Sequence, residues 1–321
     1  MKTRTILTLS ILSSALILAA PAVQAKKRGG GGDGESHRRK ALEFIEAKQF
    51  DKAIEEFNKE VEAAPGEPEV YRDRGTAYRA AGRVAAAAGD GPASAARFNS
   101  AVADFSKMVE LNPKSAVGYI ERGQTELAQI QYDAAVNDLT KALELKGEEE
   151  LCYKFRGFAY IGLKQWDKAV ADFTAAIQKN PNDIQNYDQR ALAYRNMNNV
   201  AAAISDYTTA IEKNPSYEPE YARRGYTYAL AEQYEKAIVD YQQALKLDPN
   251  DQETGERLKY AQARIAARNA PPPTPTPTPG TSFFTPAKIF FGAIILIIIA
   301  VVIRIMTRGK PEESSSSMRI R

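Results

Sequence analysis

Few residues in this sequence are of a type that does chemistry, and their spacing decides what chemistry is open to them. His37 is the only histidine and Cys152 the only cysteine, and they stand far apart. They make no plausible metal site, and a single cysteine forms no internal disulfide. Cys152 sits between Leu151 and Tyr153, which suits a buried structural thiol better than a reactive one. No glycine-rich phosphate loop is followed by Lys and Ser/Thr, and no Gly-x-Ser-x-Gly elbow is present. Carboxylates are plentiful, but at helical spacings that belong to solvated faces. The formal net charge is only +3 with acids and bases interspersed, so no global field favours nucleic acid. The expectation is a non-enzyme with no cofactor and no metal.

One charged pattern is regular. Arg74, Arg122, Arg156, Arg190 and Arg224 recur, and so do Asp104, Asp138, Asp172, Asp206 and Asp240. Two readings fit. The series is an internal Arg–Asp ladder that fixes the stacking of repeated units, or a row of basic sites for an acidic partner. The ladder is the favoured reading, and loss of one partner then destabilises more than loss of an exposed charge.

The elements that must position these residues follow from a second regularity. Ala101, Ala135, Ala169, Ala203 and Ala237 are spaced by 34 residues each time. Tyr119, Tyr153, Tyr187 and Tyr221 keep the same period, as do Gly123, Gly157, Ala191 and Gly225. Pro181, Pro215 and Pro249 close three of the units, where Pro stops a helix. Apolar residues inside each unit recur at three and four, the helical spacing. Self-similarity at this period marks a stacked helical repeat. Small residues let two helices approach, and aromatics fill the space between neighbours.

These residues resemble the tetratricopeptide repeat family, over about two thirds of the chain. The resemblance implies an all-α superhelix of antiparallel hairpins. Six units are expected at 35–67, 68–115, 116–149, 150–183, 184–217 and 218–251, with a capping helix at 252–268 completing a domain of 35–268. The first unit has His37, Ala41 and Glu60 where later ones carry an aromatic, a small residue and usually Ala, as suits a terminal repeat. The second carries fourteen extra residues between Gly82 and Arg97, with Gly89-Asp90-Gly91-Pro92 as a turn, and predicts a longer hairpin.

The resemblance also implies a protein-binding groove lined by the first helices. Transferred by register, its candidate residues are Arg72, Arg79, Ile120, Leu127, Lys154 and Phe155, continuing with Phe158, Ile161, Leu192, Arg195, Arg223 and Tyr226. Phe155, Phe158 and Ile161 stand out, because they add to the packing aromatics Tyr153 and Tyr160. They form an interaction patch or pack against a neighbouring first helix, and both readings stay open. The family's carboxylate-clamp pattern is not clearly reproduced.

The ends imply a membrane address. Residues 1–25 have a basic start, an apolar run and Val23-Gln24-Ala25, the pattern of a signal peptide. Residues 26–34 are glycine-rich and expected to be a flexible arm. The 269–286 stretch alternates Pro and Thr, a stiff linker. Residues 287–306 are expected to be a transmembrane helix, followed by a basic tail at 307–321. The expectation is a scaffold in the bacterial inner membrane, crossing once, with repeats in the periplasm and a cytoplasmic C-terminus. Its partner is a peptide segment or helix of another protein. Self-association as a structural envelope protein is one alternative, and a C-terminal sorting signal at 271–321 another, although no Leu-Pro-x-Thr-Gly motif is present.

Overall fold

The computed structural model describes residues 32–270 and 296–304. The described residues are helices joined by short turns, with no strand among them. Six hairpins follow one another. The first pairs α1 (Gly32–Glu46) with α2 (Phe50–Ala63), and the second α3 (Pro68–Ala87) with α4 (Gly91–Leu111). Then come α5 (Ala116–Ala128) with α6 (Tyr132–Glu144), and α7 (Glu149–Gly162) with α8 (Trp166–Lys179). The last two pair α9 (Ile184–Asn196) with α10 (Val200–Lys213), and α11 (Glu218–Leu230) with α12 (Tyr234–Leu247). A single helix, α13 (Gln252–Asn269), follows. Of the expected arm at 26–34 only residues 32–34 are described, at the start of α1.

The 34-residue period has a direct packing cause. Ala53, Ala101, Ala135, Ala169, Ala203 and Ala237 are all 0% exposed, at the points where helices cross. Four residues on, Phe57, Phe105, Leu139, Phe173, Tyr207 and Tyr241 form the spine of the core. In four hairpins the first helix offers a glycine beneath that large side chain. A Cβ on Gly157 would lie 2.9 Å from the Phe173 ring, and one on Gly75 would lie 2.8 Å from Phe105. Such distances are below van der Waals contact, so the crossing is as close as glycine permits. The tyrosine and proline of the repeat also meet. The hydroxyls of Tyr71 and Tyr221 donate to the carbonyls of Pro65 and Pro215, at 3.0 and 3.2 Å.

The extra residues of the second unit sit at its tip. α3 and α4 run 20 and 21 residues against 13 to 15 for the other paired helices. Gly89 takes φ 77° in the turn, and Asp90 caps α4 by accepting from the Ala93 amide at 3.0 Å.

The expected signal segment 1–25 lies outside the described residues, as do the linker beyond residue 270 and the tail 307–321. Of the expected span at 287–306 only 296–304 is described, and it is helical. No helix among the described residues is long and apolar enough to cross a membrane.

The tight turns carry a cost that sequence inspection hides. Lys48, Ile130, Lys164, Asn198 and Glu232 each link a first helix to its second with φ between 57° and 64°. The bond pattern is that of a left-handed helix stop. The Gln165 amide donates to the Tyr160 carbonyl at 2.8 Å, and the Lys164 amide to Ile161 at 3.0 Å. Glycine is the natural occupant of such a position, and a β-branched residue is the worst. Ile130 is that residue, and it is 52% exposed, so little packing holds it there. Ile130→Gly is therefore expected to stabilise the array by about 1 kcal/mol. Thermal melting of the two proteins side by side tests it, and an unchanged or lower melting temperature contradicts the strain argument.

Candidate functional site

The Arg–Asp ladder is present and internal. Arg156 donates from Nε and Nη2 to the two carboxylate oxygens of Asp172, both at 2.8 Å, and from Nη1 to the Thr140 hydroxyl at 3.0 Å. Arg190 and Arg224 repeat this with Asp206 and Thr174, and with Asp240 and Thr208. Arg122 uses Asp138 and Ser106, and Arg74 uses Asp104 and Asn58. Each guanidinium thus joins its own second helix to the second helix of the preceding hairpin. Tyrosines three before and four after cover its faces, as Tyr153 and Tyr160 do for Arg156, each 5.8 Å from ring centre to guanidinium carbon. The row is spent on stacking and is not offered to an acidic partner.

One rung departs from this pattern. Glu126 stands where Tyr160, Tyr194 and Tyr228 stand in the later hairpins. It is buried beside the Arg122–Asp138 pair. Burial, with the nearby Asp138 carboxylate, pushes its pKa up to about 7 against the pull of Arg122.

The first helices form the other face. α3 approaches α5, α5 approaches α7 and α7 approaches α9, so first helices line the closely spaced side of the array. Ion pairs bridge them. Arg38 reaches Asp73 at 2.7 Å, Arg79 reaches the Glu121 carboxylate at 2.6 Å, and Lys154 reaches Asp183 at 2.6 Å. Between α9 and α11, Arg223 lies 3.0 Å from Asp188 and 3.2 Å from Glu220. Glu220 is 1% exposed, and burial beside Asp188 pushes its pKa up against the pull of Arg223. The joint from α5 to α7 is apolar instead, with Leu127 and Phe155 packed together against Leu139 and Ala159.

The candidate groove residues divide into two sets. Ile120, Leu127 and Phe155 are 6%, 2% and 4% exposed, and Arg79 and Lys154 are buried in their ion pairs. These five hold neighbouring hairpins together and offer little surface, because the face that lines a groove is also where adjacent first helices meet. Phe158 is half-buried, edge-on to Phe173 at 5.5 Å, and packs with Ile161 toward Ala193 of the next hairpin. Of the two readings of this aromatic group, packing describes Phe155 and most of Phe158. Arg72, Ile161, Leu192, Arg195, Arg223 and Tyr226 remain partly accessible. Arg195 lies over the Tyr226 ring at 5.1 Å, linking the fifth and sixth units into one patch.

Two residues of this face escaped the sequence reading. Arg257 and Tyr260 of α13 fall 34 residues after Arg223 and Tyr226. Extending the same ruler into the capping helix finds them. Arg257 lies over the Tyr226 ring, at 4.8 Å. Cys152 is 0% exposed and burial pushes its thiol up to about 11, so it is no nucleophile. No group of acidic, histidine or cysteine side chains among the described residues could hold a metal ion.

Comparison with known proteins agrees with this architecture. Models described as tetratricopeptide repeat match residues 38–101, 151–183, 184–217 and 219–251, between them more than half of the chain. No curated protein matches the chain. Among solved structures, pilF of Pseudomonas aeruginosa is similar with a TM-score of 0.56 at 13% identity, over 72% of this chain and 97% of that one. YrrB, described as a TPR protein with an unusual peptide-binding site, has a TM-score of 0.50 at 21% identity, over 64% of this chain and 97% of its own. The Cut9–Hcn1 assembly has a TM-score of 0.54 at 14% identity, over 79% of this chain but only 46% of that one. At these identities the likeness is one of fold.

Two outcomes follow from the ladder. Arg156→Ala leaves the buried Asp172 carboxylate without its fork, and is expected to cost about 2–4 kcal/mol, whereas Lys168→Ala on the exposed face costs under about 0.5 kcal/mol. Denaturant titration compares them, and equal losses would remove the ladder's structural role. The pH dependence of Glu126 has a definite sign. Its folded pKa is raised above the ordinary carboxylate range, so its contribution is complete below that range and is lost as pH rises through about 7. Glu126→Gln is expected to leave the melting temperature unchanged at pH 4 and raise it at pH 8. A gain of equal size at both would place the effect elsewhere.

Proposed function

The chain belongs to the tetratricopeptide repeat family, and on that footing we propose that it is a membrane-anchored scaffold that docks a segment of another protein on its first-helix face. Proteins of this family mediate protein–protein interactions and bind peptides, and their repeats are generally non-catalytic. The observation that carries the reading is the accessible patch on the fifth and sixth units. Leu192, Arg195, Arg223 and Tyr226 stay partly exposed there, while every arginine of the ladder is committed to packing. A mixed surface of Tyr, Arg and Leu beside a rigid array suits a binding hot spot.

The membrane part of the proposal rests on composition. Residues 1–25 have the order of a signal peptide, and 287–306 are almost wholly apolar with a basic tail beyond. Within that stretch, 296–304 is helical, and Leu296, Ile297 and Ile303 are 69%, 63% and 57% exposed. In this reading the repeats face the periplasm of a bacterial envelope, the tail is cytoplasmic, and the Pro/Thr stretch sets the reach of the array.

A photoreactive amino acid placed at Leu192 in living cells tests the docking role. A discrete heterologous partner, lost when Arg195 becomes Glu, is the expected result. Crosslinks to the same chain alone would replace docking with self-assembly, and no crosslink at all would end the reading. Protease added to intact spheroplasts should remove the repeats and spare a C-terminal tag, and the reverse pattern would overturn the orientation.

A further inference from the structure

The capping helix leaves a cleft beside the sixth hairpin. α13 occupies the place of a seventh first helix and packs through Ala261, which is 0% exposed, with Leu258 and Ile265 beside it. Its partners on α12 are Tyr234, Ala237 and Tyr241. Beside this joint lies an open cleft of about 630 Å³. Tyr234 and Tyr241 form its buried floor. Tyr226 and Tyr260 form its walls, the latter 57% exposed, and Leu230 on the rim is 52% exposed.

The cleft's polar groups define its occupant. Arg257 donates to Glu253 and lies on the Tyr226 ring, so this cation is held as part of the wall. Glu256 lines the cleft as well and makes no ion pair among the described residues. A few residues of extended chain fit such a volume. Tyrosine rings are good surfaces for proline, whose extended conformation is already ordered before binding. The Glu256 carboxylate adds a demand for positive charge. The chain's own run from Pro271 to Pro279 contains no charged residue, so it meets the aromatic demand and not the electrostatic one.

We propose that the cleft between the sixth hairpin and α13 seats an extended, proline-containing segment of a partner protein, with a Lys or Arg next to the proline held by Glu256. This rests on the docking role given above and names the class of partner for its C-terminal end.

The test uses the full-length chain and a fluorescein-labelled peptide, Pro-Pro-Arg-Pro-Pro-Lys-Pro-Pro, followed by anisotropy. Two comparison peptides are the same sequence with Glu for both basic residues, and the chain's own 270–280 sequence. Saturable binding of the basic peptide is expected, weakened by salt and reduced at least about tenfold by Tyr260→Ala and by Glu256→Lys. Both residues are exposed, so each variant should melt as the parent does, and Glu256→Lys probes charge without removing any ring. Equal binding of the acidic peptide would overturn the electrostatic part of the proposal. Binding of the 270–280 peptide alone would make the cleft a self-docking site instead. Absence of saturable binding, or binding untouched by Tyr260→Ala but lost in Leu192→Glu, would remove the cleft as the site. In those last cases a crosslink from Leu192 to a partner would still leave the docking role standing.

Discussion

The whole array depends on one planar cation held at a fixed distance along the chain. A guanidinium can present two parallel donors to a carboxylate and a third to a neighbour, which an ammonium cannot. Here the two go to an Asp on the same hairpin and the third to Thr, Ser or Asn on the hairpin before, so one side chain sets both the hairpin and the stack. From the third hairpin on, Arg lies 16 residues from each partner. In the second hairpin Arg74 lies 30 residues before Asp104 and still 16 after Asn58. The fourteen extra residues fall at the tip, beyond the clamp, which is why the insertion is tolerated.

That clamp explains what was legible in the sequence. A contact that recurs at constant spacing must leave a constant period, so the hairpins, their crossings and the Arg–Asp pairing could all be read from residue positions. Other features leave no period. Ile130 and Glu232 adopt left-handed conformations with no glycine to announce them. Glu126 has the spacing of a solvated carboxylate, and only its buried surroundings make it costly.

The groove was legible as a face but not as a surface. Register places Phe155, Phe158 and Leu127 on the first-helix side, and that is where they are. It does not say how near the next first helix comes. α5 and α7 approach closely, so Phe155 and Leu127 are consumed between them. The cleft beside α13 was missed for the opposite reason. An amphipathic helix after the last proline looks like a plain cap, and the cleft it forms with Tyr226, Tyr234 and Tyr241 is a property of packed rings that no spacing shows.

Charge on the inner face follows the same division. Arg38, Arg79 and Lys154 are each answered by a carboxylate across the joint to the next hairpin, so they hold the stack and contribute little to a partner. Near the C-terminal end, Arg195 and Glu256 are not answered by an ion pair among the described residues. Arg195 rests on Tyr226, and Glu256 lines the cleft. Tyr226 belongs to both sites, with Arg195 5.1 Å and Arg257 4.8 Å from its ring centre. A segment that ran from the patch into the cleft would therefore meet a positive group first and a negative one second, with a tyrosine between them. Direction along the groove is then fixed by the order of charges in the partner, since a reversed segment would set like against like at both ends.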